Sequence, residues 1–129
     1  MKKPKIYIAG PMSGYPHLNW PAFFTKEKQL KDAGWDVINP AQMDRESGIS
    51  PTEDLGDYEY EDAARRDIEA LRDCDAIYMM SDFQFSKGAC WERALAKTWG
   101  LNRYYEIPRA DHEFPIKDGD EMELFSDCK

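Results

Sequence analysis

Four short apolar runs separated by helix-length segments constrain the fold of this chain more than any other feature. The runs are Lys5–Ala9, Trp35–Ile38, Ala76–Met80 and Arg103–Ile107. Runs of this length are typical of strands buried on both faces of a parallel sheet. The alternation predicts a β-α-β-α-β-α-β domain, folded as a three-layer α/β/α sandwich around a Rossmann- or flavodoxin-like parallel sheet. We expect the strand order 2-1-3-4, with an extra C-terminal strand as an option.

Cap and turn residues delimit the helices between these strands. Three helices are predicted: from the cap Asn19 to about Ala33, from about Tyr58 to Arg72, and from the cap Ser86 to Gly100. Pro21 suits the first turn of its helix, and Gly34 suits a left-handed helix end. Residues 41–55 have no clear periodicity and predict an irregular loop.

Composition narrows the classes of function. The chain has 129 residues and a formal charge of −8, which argues against binding a nucleic-acid polymer. The negative charge is still compatible with binding of a single nucleotide, because helix N-termini can hold its phosphate. No apolar run reaches the roughly 20 residues of a membrane span, and no signal peptide opens the chain, so we expect a cytoplasmic protein without membrane contact.

The histidines and cysteines lack the spacing of metal ligands, so we expect no metal. Residues 1–107 are predicted to form the folded domain. Residues 108–129 form an acidic tail, with five acids after Lys117, that packs on the same domain or at a subunit contact.

A parallel sheet of this order brings two segments to one crevice. Its switch point lies between strands 1 and 3, whose carboxyl ends carry the loop that starts at Gly10 and the Ser86–Glu92 segment. Tyr7, Asp67 and Glu92 can meet there. Two carboxylates beside a phenol can divide the roles of nucleophile and general acid at an anomeric carbon.

Each of these three residues also has an interpretation without chemistry. Glu92 could be a solvated residue that pairs with Lys87 or Lys97. Asp67 could form an ion pair with Arg65, Arg66 or a neighbouring helix. Tyr7 could simply pack between the sheet and a helix. Spacing alone leaves both sets of interpretations open.

Three segments carry a family resemblance: Ile6–Pro11, Arg66–Ile77 and Ser86–Ala96. In order and spacing they resemble the nucleoside 2-deoxyribosyltransferase superfamily, which includes 2′-deoxynucleoside 5′-phosphate N-hydrolases and cytidine monophosphate hydrolases. Met12-Ser13-Gly14 and Asn19–Phe24 look most like a bacteriophage-type branch of that superfamily. The similarity covers roughly residues 5–107.

The resemblance implies a role for each crevice residue. Glu92 matches the nucleophile that forms a covalent glycosyl-enzyme, Asp67 the acid that engages the leaving base, and Tyr7 the phenol that orients the nucleophile. Ser86 stands where the nucleoside transferases carry an acid and the nucleotide hydrolases a serine, which favours a 5′-phosphate ligand. Further phosphate contacts are expected from the amides of Gly88 and Ala89 and from the loop residues Gly10, Ser13 and Gly14.

The expected activity is therefore cleavage of the N-glycosidic bond of a (2′-deoxy)nucleoside 5′-monophosphate, by hydrolysis or base transfer. No metal or organic cofactor is expected, since two acids carry the chemistry. The resemblance also implies a homodimer or higher homo-oligomer, although the C-terminal segment that completes the transferase site is not recognisable in Asp111–Lys129. The alternatives are a non-catalytic nucleotide-binding module and a bacteriophage accessory protein that contacts a host factor.

Overall fold

A computed structural model describes residues 3–12, 14–48, 60–106 and 114–115 of the chain. Its strands are β1 (Lys5–Ala9), β2 (Asp36–Ile38), β3 (Ala76–Met79), β4 (Asn102–Tyr105) and β5 (Phe114–Pro115). Its α-helices are α1 (Trp20–Asp32), α2 (Pro40–Glu46), α3 (Tyr60–Arg72) and α4 (Lys87–Thr98). Short 3-10 helices cover Pro16–Asn19 and Phe83–Phe85.

The strands form one sheet in the order β2-β1-β3-β4-β5. The first four are parallel to one another, and β5 is antiparallel to β4. The predicted α/β class and the strand order 2-1-3-4 are therefore confirmed. β1 has its predicted bounds, and the bounds of the other three parallel strands differ from the predictions by one or two residues, which is usual at the ends of such elements.

Burial on both faces of the sheet explains why the strands appear as continuous apolar runs. Side chains alternate between the faces, so each central strand contributes to two core layers. One layer packs residues of β1 and β3 against α3 and α4: Tyr7, Ala9, Ile77, Met79, Leu71, Ala89 and Ala96. The other packs the alternate residues against α1: Ile6, Ile8, Ala76, Tyr78, Trp20, Phe23 and Leu30.

The prediction of an irregular loop over residues 41–55 is wrong in its first part, because α2 occupies Pro40–Glu46. Asn39 caps this helix: its side chain accepts a hydrogen bond from the Ala41 amide at 2.9 Å. Pro40 suits the first turn because it has no amide hydrogen to satisfy. Residues 49–55 lie outside the described residues.

Asn19 occupies the N-cap position of α1, as predicted, but its side chain does not cap the helix. Asn19 has a left-handed backbone (φ 59°), and its side chain makes no cap hydrogen bond. Its side-chain Nδ2 instead donates a hydrogen bond to the Pro11 carbonyl at 2.9 Å, which connects the loop after β1 to the start of α1. Gly34 ends the helix region with φ 103°, as the sequence predicts.

The end of β1 and the start of α4 are both fixed locally. A Cβ on Gly10 would lie 2.6 Å from Met80 Sδ, so glycine lets the chain leave β1 directly against β3. Ser86 caps α4, and its Oγ accepts a hydrogen bond from the Ala89 amide at 3.1 Å. Both segments thus border the carboxyl edge of the sheet, where ligands bind in open α/β folds.

Candidate active site

A cavity of about 360 Å³ opens at this edge of the sheet. Its walls come from the end of β1 and from all four α-helices of the described chain. Among its lining residues are Tyr7, Gly10, Asp44, Asp67, Ser86 and Glu92. The cavity therefore brings together the three residues that the sequence nominated for chemistry.

Tyr7 and Glu92 are joined directly, although they lie 85 residues apart in the sequence. The Tyr7 hydroxyl donates a hydrogen bond to Glu92 Oε2. Tyr7 is fully buried in the core layer beneath α4, so its ring position is set by packing. Within the described chain Glu92 Oε1 has no hydrogen-bond partner, and the interpretation of Glu92 as a solvated partner of Lys87 or Lys97 is wrong.

Both interpretations of Asp67, as a residue of the crevice and as an ion-pair partner, apply. Asp67 lines the cavity and also pairs with Arg66 on the same helix. Arg66 donates to Asp67 Oδ1 twice, from Nε at 3.0 Å and from Nη2 at 2.8 Å. The same Nη2 binds Asp44 Oδ1 at 2.9 Å. In the described part of the chain Oδ2 of Asp67 accepts no hydrogen bond, so this oxygen is available to a ligand.

The two cavity acids have different proton affinities. Burial raises the pKa of Glu92 to about 8, with the Asp67 charge acting in the same direction and the Tyr7 hydrogen bond opposing both. Burial also raises the pKa of Asp67, but hydrogen bonds and charge from Arg66 hold it at about 6. The pKa of Tyr7 lies well above 10.0, chiefly because of burial and also because of the Glu92 and Asp67 charges. Tyr7 thus remains a hydrogen-bond donor at neutral pH.

The raised pKa of Glu92 predicts a pH-dependent stability. Between its ordinary value of 4.5 and about 8, the folded protein holds a proton at Glu92 that the unfolded chain has lost, so stability falls as pH rises. Above about pH 6 Asp67 is already ionised, so Asp67 adds little to the change in stability and Glu92 accounts for it. Thermal unfolding of the wild type should therefore shift to lower temperature by several degrees from pH 6 to 8.

Glu92→Gln is the variant that tests this stability prediction, because it cannot ionise. Its melting temperature should change much less than that of the wild type over this interval, whereas the exposed control Glu69→Gln should follow the wild type. Equal slopes for Glu92→Gln and the wild type would contradict the assignment.

The first turn of α4 forms another part of the cavity wall. Ser86, Lys87, Gly88 and Ala89 all line it. The Ala89 amide already donates to Ser86 Oγ, whereas helix geometry leaves the amides of Lys87 and Gly88 without partners inside the helix. The helix dipole adds a positive potential at this end of the cavity.

The loop residues nominated from the sequence are distributed differently. Gly10 lines the cavity, whereas Gly14 lies on an exposed turn with φ 83° and is not a lining residue. Ser13 lies outside the described residues, as does most of the segment 108–129. Across the described ranges, no group of three His, Cys, Asp or Glu side chains is placed to hold a metal ion.

Sequence reasoning missed two residues of the site. Asp44 lies on α2, which was not predicted, although Asn39-Pro40 is a cap and first-turn signature that could have revealed it. Arg66 was considered only as one of several partners for Asp67. Its simultaneous contact with Asp44 could not be expected without α2.

None of the described helices is both long and apolar enough to cross a membrane.

Comparison with known proteins places the chain in a family without assigning it an activity. No curated protein matches the chain. A family model described as a domain of unknown function, DUF4406, matches residues 4–105, which include β1 to β4 and the cavity, and the chain belongs to that family.

Proposed function

We propose that the protein cleaves the N-glycosidic bond of a (2′-deoxy)nucleoside 5′-monophosphate, by hydrolysis or by transfer to a second base. Glu92 is the nucleophile, Asp67 the general acid and Tyr7 the group that orients Glu92. The substrate class rests on the resemblance to nucleoside 2-deoxyribosyltransferases and nucleotide N-hydrolases.

The observation that carries the proposal is the hydrogen bond from Tyr7 to Glu92 Oε2 inside a cavity that Asp67 also lines. Each carboxyl group has one oxygen bound by the protein and one oxygen without a hydrogen-bond partner in the described chain. Fixing one oxygen orients a carboxylate, and the other oxygen is left to react. A surface acid that merely pairs with a lysine has no need of this arrangement.

The proposed reaction has two steps that balance. In the first, Glu92 Oε1 forms a bond to C1′ while the C1′–N bond breaks, and protonated Asp67 gives its proton to a ring nitrogen of the departing base. In the second, a water oxygen attacks C1′, the Glu92 ester bond breaks, and the water proton returns to Asp67. In base transfer, a ring nitrogen of an incoming base takes the place of the water.

The pKa values fit a pair that holds one proton near neutral pH. Between about pH 6 and 8 the Asp67–Glu92 pair is singly protonated. In the free protein that proton resides mainly on Glu92, so the reaction uses the less populated form in which Asp67 holds the proton and Glu92 is ionised. Positive charge developing at C1′ stabilises the ionised Glu92. We therefore expect kcat/KM to follow a bell-shaped pH profile with limbs near pH 6 and 8.

The start of α4 supports a phosphate ligand. Free amides and a helix N-terminus favour an anion, and Ser86 adds a hydroxyl without a charge. Ser86→Asp should weaken binding of 5′-monophosphates on the order of 10- to 100-fold through charge repulsion. Binding of the corresponding nucleosides, measured by calorimetry, should change little.

Ser86→Asn is the matched control, because Asn has the shape of Asp, carries no charge and is an equally good helix cap. It should bind the monophosphate nearly as well as the wild type does. Equal losses for nucleotide and nucleoside in Ser86→Asp would remove the phosphate from this end of the cavity.

The proposed function is tested by incubating the protein with a panel of deoxy- and ribonucleoside 5′-monophosphates and analysing the products by chromatography. Release of free base supports the proposal and identifies the substrate. Base exchange that exceeds hydrolysis when an acceptor base is present makes the protein a transferase. If no nucleotide releases its base and one of them raises the melting temperature of the protein, then the protein binds that nucleotide without cleaving it.

A further inference from the structure

A three-residue ionic chain lies behind the cavity wall and is not explained by the roles given above. It runs from Asp44 on α2 through the Arg66 guanidinium to Asp67. The side chain of Asp44 is 3% exposed, while those of Asp67 and Arg66 are 18% and 29% exposed. Arg66 is not a cavity-lining residue, although both acids are.

The contact between Arg66 and Asp67 does not follow from helix geometry. Adjacent residues on an α-helix point about 100° apart around its axis and do not normally face each other. Here the Arg66 side chain turns towards its neighbour because Asp44, fixed on a separate helix, binds the same Nη2. The buried Asp44 therefore holds Arg66 in place, unlike the weakly ordered partners of exposed ion pairs.

Both hydrogen bonds from Arg66 end on Oδ1 of Asp67. They restrict rotation of the carboxyl group and leave Oδ2 as the oxygen that exchanges a proton. We infer that Arg66, anchored by Asp44, is a positioning residue that fixes Oδ1 of Asp67 and reserves Oδ2 for the leaving base. This inference rests on the function proposed above and assigns α2 a part in the same site.

The titratable groups that face Asp67 give the inference a measurable consequence. They come from Arg66 on its own helix, Asp44 on α2, Glu92 on α4 and the Tyr7 phenol on β1. Only Arg66 among them lowers the pKa of Asp67. Without the guanidinium, burial and the neighbouring acids would act unopposed, and the pKa of Asp67 would rise above about 6.

The experiment compares the pH dependence of kcat/KM for the wild type, Arg66→Met, Arg66→Lys and the exposed control Arg72→Met. In Arg66→Met the acid limb should move to higher pH, with kcat lower by about 10- to 100-fold and KM little changed. Arg66→Lys should lose less activity than Arg66→Met, because lysine keeps the positive charge but cannot donate two hydrogen bonds from a planar guanidinium. Arg72→Met should match the wild type.

Testing Arg66→Met in a protein that already carries Asp67→Asn distinguishes a positioning role of Arg66 from a structural one. If Arg66 acts through Asp67, then Arg66→Met should cause no further loss of activity when Asp67 is already Asn. Equal losses in both backgrounds, with an unmoved acid limb, would overturn the inference. If Arg66→Met alone folds poorly, the double variant Asp44→Asn/Arg66→Met takes its place, because it also removes the buried charge that Arg66 neutralises.

Carboxyl NMR titration of the free protein distinguishes failure of this inference from failure of the proposed function. Asp67 should titrate near pH 6 in the wild type and at higher pH in Arg66→Met, irrespective of turnover. Absence of base release by the wild type would defeat the proposed function. A titration midpoint that Arg66→Met leaves unmoved would defeat the positioning role, whether or not the wild type is active.

Discussion

Replacing Glu92 by Ala is expected to lower turnover of the nucleotide substrate by about 10⁴-fold or more, because it removes the atom that bonds to C1′. Nucleotide binding should survive, since the start of α4 and the loop after β1 keep their structure. The fold should survive as well, because Glu92 belongs to neither core layer. Chromatographic assays of base release, together with calorimetric binding, measure both effects.

Glu69→Ala is the matched control, as it removes an exposed acid of the same type from α3. Its turnover should equal that of the wild type. Substantial base release by Glu92→Ala would exclude Glu92 as the nucleophile. Loss of nucleotide binding together with turnover would instead assign Glu92 to ligand recognition.

Replacing Asp67 by Asn is expected to lower turnover of natural nucleotides by about 10²- to 10⁴-fold, the usual contribution of a general acid. Asn keeps an oxygen that can accept the hydrogen bonds from Arg66, so the site should stay assembled. A substrate whose leaving group departs without a proton, such as a nitrophenyl 2-deoxyriboside 5-phosphate, should lose much less. The ratio of the two losses measures the proton donated by Asp67.

The exposed Asp73→Asn variant, just after α3, should leave both substrates unaffected. If Asp67→Asn lowers turnover equally on the natural and the activated substrate, then Asp67 does not protonate the leaving base. Such a result would make it a binding or positioning group.

The sheet could be predicted from the sequence because parallel strands covered by helices are apolar throughout their length. The run Lys5–Ala9 coincides with β1, and Ala76–Met80 exceeds β3 by one residue. The seven residues of α2 are too few to reveal a helical period, which is why residues 41–55 were predicted to form an irregular loop. Asn39-Pro40 follows β2 directly and starts α2.

The site could be predicted in part. Topology alone brings the end of β1 and the start of α4 to one crevice, which placed Tyr7 and Glu92 near each other. Their hydrogen bond and the resulting shifts in pKa depend on side-chain packing that no sequence pattern reports. An ion pair between Asp67 and Arg66 was one of the alternatives that the sequence offered. The additional contact of Arg66 with Asp44 could not be predicted, since α2 was not.

The measurement that tests the central claim most directly is the mass of the protein quenched in acid during turnover of the best nucleotide from the panel. After digestion, the peptide that contains Glu92 should carry the added mass of a 5-phospho-2-deoxyribosyl or 5-phosphoribosyl group. The same peptide from Glu92→Gln should be unmodified. Continued base release with no adduct at Glu92, or with an adduct on another residue, would contradict the covalent mechanism proposed for this site.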